Sequence, residues 1–201
     1  TRHVAADDPT RSLLDWLRAE GLTGTKEGCN EGDCGACSVM VSDAGGVRAQ
    51  NACLMMLGQL HGKAVVTVEG IAGPEGALHP VQEAMVAEHG SQCGFCTPGI
   101  VVSLAAAHLN GRADDADQLA GNLCRCTGYA PILRAAKRAR AAAVPDWMAG
   151  RIARPSVGAA PDFAPESADQ PAAWYVQNPD ARLIAGGTDL GLWLTKGLRD
   201  L

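Results

Sequence analysis

Eight cysteines dominate the chemistry that this 201-residue sequence offers, and their spacing divides them into two sets of four. Cys29, Cys34 and Cys37 form a C-x4-C-x2-C run, and Cys53 follows after fifteen intervening residues. Cys93 and Cys96 form a C-x2-C, and Cys124-Arg125-Cys126 a C-x-C after twenty-seven more, so none is left over. The first spacing is that of plant-type [2Fe–2S] ligation. A loop wrapping such a cluster must turn sharply and aim backbone N–H groups at sulfur, which Gly28, Gly32 and Gly35 permit by tolerating positive φ and close approach. The second set asks for two loops that face one another, with Gly94, Gly121 and Gly128 flanking the thiols. Three other readings compete. Disulfides belong to secreted chains, and one between Cys124 and Cys126 would close a strained ring. Structural zinc favours paired C-x2-C knuckles, which neither C-x4-C-x2-C nor C-x-C supplies. Free buried thiols occur singly rather than in two groups of four.

The elements that must position these cysteines differ between the two sets. Before the first, Leu13, Leu14 and Leu17 share a helical face beside Trp16, with Pro9-Thr10 as the cap and Gly21 as the stop. A glycine-rich loop runs from Gly24 to Ala36. Ser38 to Ser42 reads as a strand, Asp43-Ala44-Gly45-Gly46 as a hairpin turn, Val47 onward as the return, and Val65 to Val68 as a further strand. Around the second set the pattern is helical: Leu78 to His89, Thr97 to Leu109 with Thr97 as N-cap and Pro98 in the first turn, Asp114 to Leu123, and Pro131 to Ala143. Four short alanine-rich helices suggest a small bundle, in which the N-terminus of the Thr97 helix turns a positive dipole end toward the thiols. Residues 144–173 hold five of the eleven prolines without periodicity and read as a linker. Then come a short strand at Arg182 to Ala185, a glycine turn, and a helix over Leu190 to Leu198.

Composition narrows the function classes. The formal net charge is −5 with 19% charged residues, which provides no electrostatic footprint for nucleic acid or an anionic membrane. The longest apolar helix, Gly99 to Leu109, is far too short to span a bilayer. The first twenty residues carry charges every few positions and no secretory pattern, so a cytoplasmic location is expected.

Three motifs carry a family resemblance: Gly24-Thr25-Lys26-Glu27-Gly28-Cys29-Asn30-Glu31-Gly32-Asp33-Cys34-Gly35-Ala36-Cys37-Ser38-Val39, then Gln92-Cys93-Gly94-Phe95-Cys96-Thr97-Pro98-Gly99, then Asn122-Leu123-Cys124-Arg125-Cys126-Thr127-Gly128-Tyr129. In this order they resemble the iron–sulfur signatures of the molybdenum hydroxylases, the xanthine oxidase family, over about residues 5 to 201. The resemblance implies an α+β chain. A plant-ferredoxin-like β-grasp domain would occupy residues 1–70 and an α-helical four-helix domain residues 71–143, each with one [2Fe–2S] cluster. A linker at 144–173 and the beginning of an α/β FAD-binding domain at 174–201 would follow. The first strands of a β-grasp domain are missing before Thr1, so the chain is expected to have lost its opening residues, and the Cys37–Cys53 spacing implies a tighter hairpin than in a plant ferredoxin.

Leu183-Ile184-Ala185-Gly186-Gly187-Thr188-Asp189-Leu190 resembles the flavin-contacting loop of the same enzymes, where backbone amides after a strand meet the pyrophosphate. Two cluster domains followed by a flavin domain, with no molybdenum domain, imply the small subunit of a bacterial xanthine dehydrogenase, in a heterotetramer with a molybdopterin-binding large subunit. Electrons from purine hydroxylation would then pass the Cys93/Cys96/Cys124/Cys126 cluster, the Cys29/Cys34/Cys37/Cys53 cluster and FAD to NAD. No residue of this chain would be catalytic, and Gln92 would lie near the pterin. An aldehyde or N-heterocycle oxidoreductase is the rival within the family, and a zinc-stabilised interaction module the rival outside it. His61, His79, His89 and His108 lack ligand spacing and read as surface or capping residues. Arg134, Lys137, Arg138 and Arg140 form a basic stripe on the last helix that reads as solvated, since no matching acidic surface is evident.

Overall fold

The computed structural model describes residues 8–153, 165–184 and 186–199. Its first unit is a three-stranded antiparallel sheet in the order β2-β1-β3, built from β1 (Ser38–Asp43), β2 (Gly46–Asn51) and β3 (Ala64–Val66). Asp43 pairs with Gly46, so Ala44-Gly45 is a two-residue hairpin loop, and Ser38 pairs with Asn51 at the far end. Helix α1 (Leu13–Ala19) buries Leu13, Leu14 and Leu17 against this sheet. Its N-cap is Ser12, whose hydroxyl accepts the Asp15 N–H at 3.1 Å, and not Thr10. The Asp8 carboxylate takes both the N–H and the hydroxyl of Thr10, which closes a separate turn ahead of the helix. The final strand stops at Val66, because Thr67 caps a 3-10 turn over Val68–Gly70.

The second unit is helical: α2 (Pro80–Ala87), α3 (Thr97–Leu109), α4 (Asp115–Gln118), α5 (Ala130–Ala139) and α6 (Trp147–Arg151). Every residue of α3 from Gly99 to His108 is buried, as its all-round apolar composition requires of a central helix. Helix α5 is strongly amphipathic and presents Ile132, Ala135, Ala136 and Ala139 inward. The expected helix from Asp114 to Leu123 is cut to α4, because the chain must turn back to lay Asn122 and Leu123 on the Cys34–Ser38 segment. Leu123 N–H donates to the Cys34 carbonyl at 2.9 Å.

The two units share β1. Val39 and Val41 point into the core with α1, whereas Met40 points into the core with α3, α2 and α5. A strand with one face on each core is buried on both sides, and Ser38 through Ser42 are.

Four expectations for the C-terminal third need correction. The segment 144–173 does not begin as a linker: Met148 of α6 is fully buried in the helical core, and the Trp147 indole packs over Gly73 and donates to the Ile71 carbonyl at 3.4 Å. Apolar Trp147 and Met148 outweigh the proline content there. Helix α7 (Asp169–Gln177) runs across the expected 173/174 boundary. Residues 182–184 form no strand, and Ala185 lies outside the described residues. Helix α8 (Leu190–Thr195) is shorter than expected, its end bonded back by Leu198 N–H to the Trp193 carbonyl at 2.9 Å.

Candidate metal centres

The first cysteine set is assembled almost wholly by backbone. Asn30, Gly32 and Gly35 all take positive φ, at 58°, 96° and 66°. The resulting turns aim N–H groups at sulfur: Cys29 Sγ accepts from Asp33 N at 3.3 Å and Cys34 N at 3.4 Å, and Cys34 Sγ accepts from Cys29 N at 3.4 Å. A methyl group at Gly28 would lie 2.8 Å from Cys34 Sγ, so only glycine leaves room there. The Asn51 side chain donates to the Gly32 carbonyl at 2.6 Å and ties the loop to the end of β2. Cys37, just before β1, and Cys53, just after β2, are buried.

The four thiols sit as two pairs. The neighbouring Cys53 thiol, against the cost of burial, brings Cys37 down to about 7, and Cys53 is itself driven far upward by Cys37. Burial opposes ionisation at Cys29, but the N–H groups of Glu31, Cys34 and Asp33 and the Cys34 thiol overcome it and lower its pKa. Cys29 is close enough that its charge is felt at Cys53.

The second set pairs in the same way across two loops. Phe95 N–H and then the Cys126 thiol lower Cys93, and Cys126 is raised by its contact with Cys93. Burial and then the Cys124 contact push Cys96, the N-cap of α3, up to about 12. At Cys124 the burial cost is overcome by the Thr127 hydroxyl and N–H and the Cys96 thiol, and the pKa falls. The Thr127 hydroxyl lies 3.0 Å from Cys124 Sγ. The Tyr129 hydroxyl accepts the Cys124 N–H at 2.9 Å and donates to the Asn122 carbonyl at 3.3 Å. Tyr129 does this from a left-handed backbone, φ 67°, a strained conformation for an aromatic residue.

Three glycines bring the two loops together. A methyl group at Gly99 would stand 2.1 Å from the Gly35 carbonyl oxygen, and one at Gly35 would stand 2.1 Å from that of Gly121. Asn122 fills the remaining space, its buried amide donating to the Gly35 carbonyl at 3.0 Å and to Ser38 Oγ at 3.2 Å. Gly99 lies within a motif legible in the sequence; its role as a contact with Gly35 does not.

The remaining candidates separate. Gln92 is exposed beside Cys93. Gly186 and Gly187 take positive φ, and Gly187 is buried near the Leu54 carbonyl and the Gln59 side chain, next to the segment that follows Cys53. Leu183, Ile184, Thr188 and Asp189 are exposed, and Leu190 is half-buried. His61 and His89 are exposed, but His79 and His108 are buried with ring centroids 5.3 Å apart. His79 caps α2 by accepting the Val81 N–H at 3.2 Å, as expected of a capping residue; His108, on the central helix, is neither capping nor superficial. The basic stripe does find acids: Arg134 and Arg138 each bond Glu88 at 3.3 Å, and Arg140 bonds Asp115. Those carboxylates come from α2 and the start of α4, elements whose packing on α5 the linear sequence does not display.

Residues 1–57 match the 2Fe-2S iron-sulfur cluster binding domain family, and residues 67–137 match the [2Fe-2S] binding domain family. The chain is 50% identical over 147 residues to xanthine dehydrogenase of Blastobotrys adeninivorans, covering 67% of this chain and 10% of the relative. To aldehyde oxidase 1 of Oryctolagus cuniculus it is 51% identical over 141 residues, 65% of this chain and 11% of that one. It thus spans about a tenth of the length of these curated relatives. Among solved structures, aldehyde oxidoreductase from Desulfovibrio gigas aligns with a TM-score of 0.63 at 38% identity, over 70% of this chain and 16% of that one. Quinoline 2-oxidoreductase from Pseudomonas putida 86 aligns with a TM-score of 0.57 at 35% identity, over 68% of this chain and 88% of the matched one. With two [2Fe–2S]-binding domains in this order, the chain belongs to the molybdenum hydroxylase family, as its electron-transferring iron–sulfur part.

Proposed function

We propose that this chain is the iron–sulfur and flavin-contacting subunit of a cytoplasmic xanthine dehydrogenase, paired with a molybdopterin-binding large subunit in a heterotetramer, with FAD and NAD taking the electrons from purine hydroxylation. The observation that supports the two-cluster part of the reading is the grouping of each cysteine quartet into neighbouring thiols, Cys29/Cys34 with Cys37/Cys53 and Cys93/Cys126 with Cys96/Cys124; the purine substrate rests on the likeness to xanthine dehydrogenase. A [2Fe–2S] cluster takes two thiolates on each iron, so paired thiols fit it. When bound, each cluster supplies a one-electron carrier, and a flavin can pair two such electrons for hydride transfer.

The chain's own residues supply the rest. Backbone N–H groups of the Gly28–Cys34 loop favour negative charge at sulfur, and Cys37 and Cys53 are shielded from water by burial. The Gly35–Gly99–Gly121 contact holds the two nests at a fixed separation. Packing of Gly187 against the segment after Cys53 supports a flavin loop beside the ferredoxin-like nest. Exposure of Cys93 and Cys126 supports a partner subunit at the helical nest.

Aldehyde and quinoline oxidoreductases among the related proteins favour a second reading, in which the partner acts on an aldehyde or an N-heterocycle. The purified complex distinguishes them. About four iron atoms per chain and two distinct EPR signals on reduction are expected, with NAD reduction on adding xanthine. Stoichiometric zinc in place of iron overturns the electron-transfer reading, and turnover only with aldehydes or quinolines overturns the xanthine assignment.

A further inference from the structure

Thr127 lies on the loop after the C-x-C motif, half-buried, with its hydroxyl 3.0 Å from Cys124 Sγ. The same oxygen accepts the Tyr129 N–H at 3.2 Å. A hydroxyl that already accepts a hydrogen bond has its single proton to place elsewhere, and a metal-bound Cys124 has no proton to offer. The proton therefore points from Thr127 to sulfur. Tyr129 locks the arrangement from both sides, since its N–H fixes Thr127 and its phenol oxygen fixes the Cys124 amide.

We propose that Thr127 is a positioning residue that sets the reduction potential of the helical-domain cluster through an O–H···Sγ bond to Cys124. The inference rests on the two-cluster reading above. Reduction adds one electron to the cluster without forming or breaking a bond, and the added negative charge is spread onto the sulfurs. A donor at sulfur stabilises the reduced form more than the oxidised one, which raises the potential. Among the described residues no other cysteine accepts a side-chain hydroxyl: the Cys29 and Cys34 sulfurs are served by backbone N–H groups, which substitution leaves in place. The two nests are thus tuned by different means, one of them by a replaceable side chain.

The test is an EPR-monitored redox titration of the holoprotein with Thr127→Val and Thr127→Ser. Thr127→Val is expected to lower the potential of one of the two reduced signals alone, so that its reduced-to-oxidised ratio at a fixed poise falls roughly tenfold. Thr127→Ser, which keeps the hydroxyl, is expected to restore it. Unchanged potentials in Thr127→Val with both clusters present overturn the proposal, as does an equal shift of both signals. A second measurement requires no substitution: proton double resonance on the native reduced protein is expected to show a strongly coupled exchangeable proton at the same signal, and its absence also overturns the proposal. Lack of two [2Fe–2S] signals in the native protein instead overturns the two-cluster reading itself.

Discussion

The two cysteine nests solve one problem with opposite materials. The ferredoxin-like nest is made mostly of backbone: positive-φ residues turn N–H groups onto Cys29 and Cys34, and Cys37 and Cys53 are buried where β1 begins and β2 ends. The helical nest adds side chains to its backbone donors, with Thr127 and Tyr129 arranging Cys124, and it leaves Cys93 and Cys126 exposed. A backbone nest depends on few side chains beyond its glycines, its ligands and the Asn51 tie. A side-chain nest can be adjusted residue by residue and offers its outer pair to whatever docks there.

The strongest way to break this comparison is to remove a buried ligand. Cys53→Ser is expected to abolish the ferredoxin-like cluster, halve the iron content and erase one EPR signal, while the helical signal persists. Loss of both signals would mean that the nests do not assemble independently.

Next in size is the contact between them. Gly99→Ala puts a methyl group 2.1 Å from the Gly35 carbonyl, which is backbone and has nowhere to move. A loss of more than about 4 kcal/mol is expected, measured by denaturant unfolding of the holoprotein. Gly128→Ala is the control: φ is 64° but nothing lies within 4 Å of the added methyl, so about 1 kcal/mol of strain is expected.

Acid probes a buried histidine of the helical unit. Burial, and secondarily the charge of His108, holds His79 down at about 4, below the 6.5 of an unfolded histidine. The unfolded state therefore takes up the proton first. Stability contributed by neutral His79 is complete above pH 6.5 and is lost as pH falls toward 4, roughly 3 kcal/mol in all. His79→Gln is expected to flatten the slope of unfolding free energy against pH in that window.

The smallest effect belongs to the surface. Glu88→Gln removes the partner of Arg134 and Arg138, both mostly exposed, and is expected to cost about 0.5 kcal/mol, read as a small drop in denaturant midpoint.

Legibility in the sequence followed the same division of materials. Glycine spacing and cysteine spacing announce a backbone nest directly, and the hairpin turn and the α3 boundaries were readable because local chemistry decides them. Thr127 and Tyr129 stand inside a quoted motif, yet nothing in their order says that one donates to sulfur while the other clamps it. Such roles depend on a left-handed residue at 129, which propensity disfavours. The linker expected at 144–173 does not hold at its start for a related reason, residues 154–164 lying outside the described ones: proline content is a local signal, and burial of Met148 is a tertiary one. Asp114 to Leu123 read as a single helix because its periodicity continues, whereas the chain bends away at Leu119 to bring Asn122 to Gly35.

The double-sided strand β1 has a mechanical consequence. Because alternate residues of one six-residue strand anchor separate cores, neither unit can loosen without exposing the other's apolar interior. The pair is therefore expected to unfold as a single cooperative block. For electrons that tunnel between fixed points, such a block is a ruler, holding the two thiol nests at one separation.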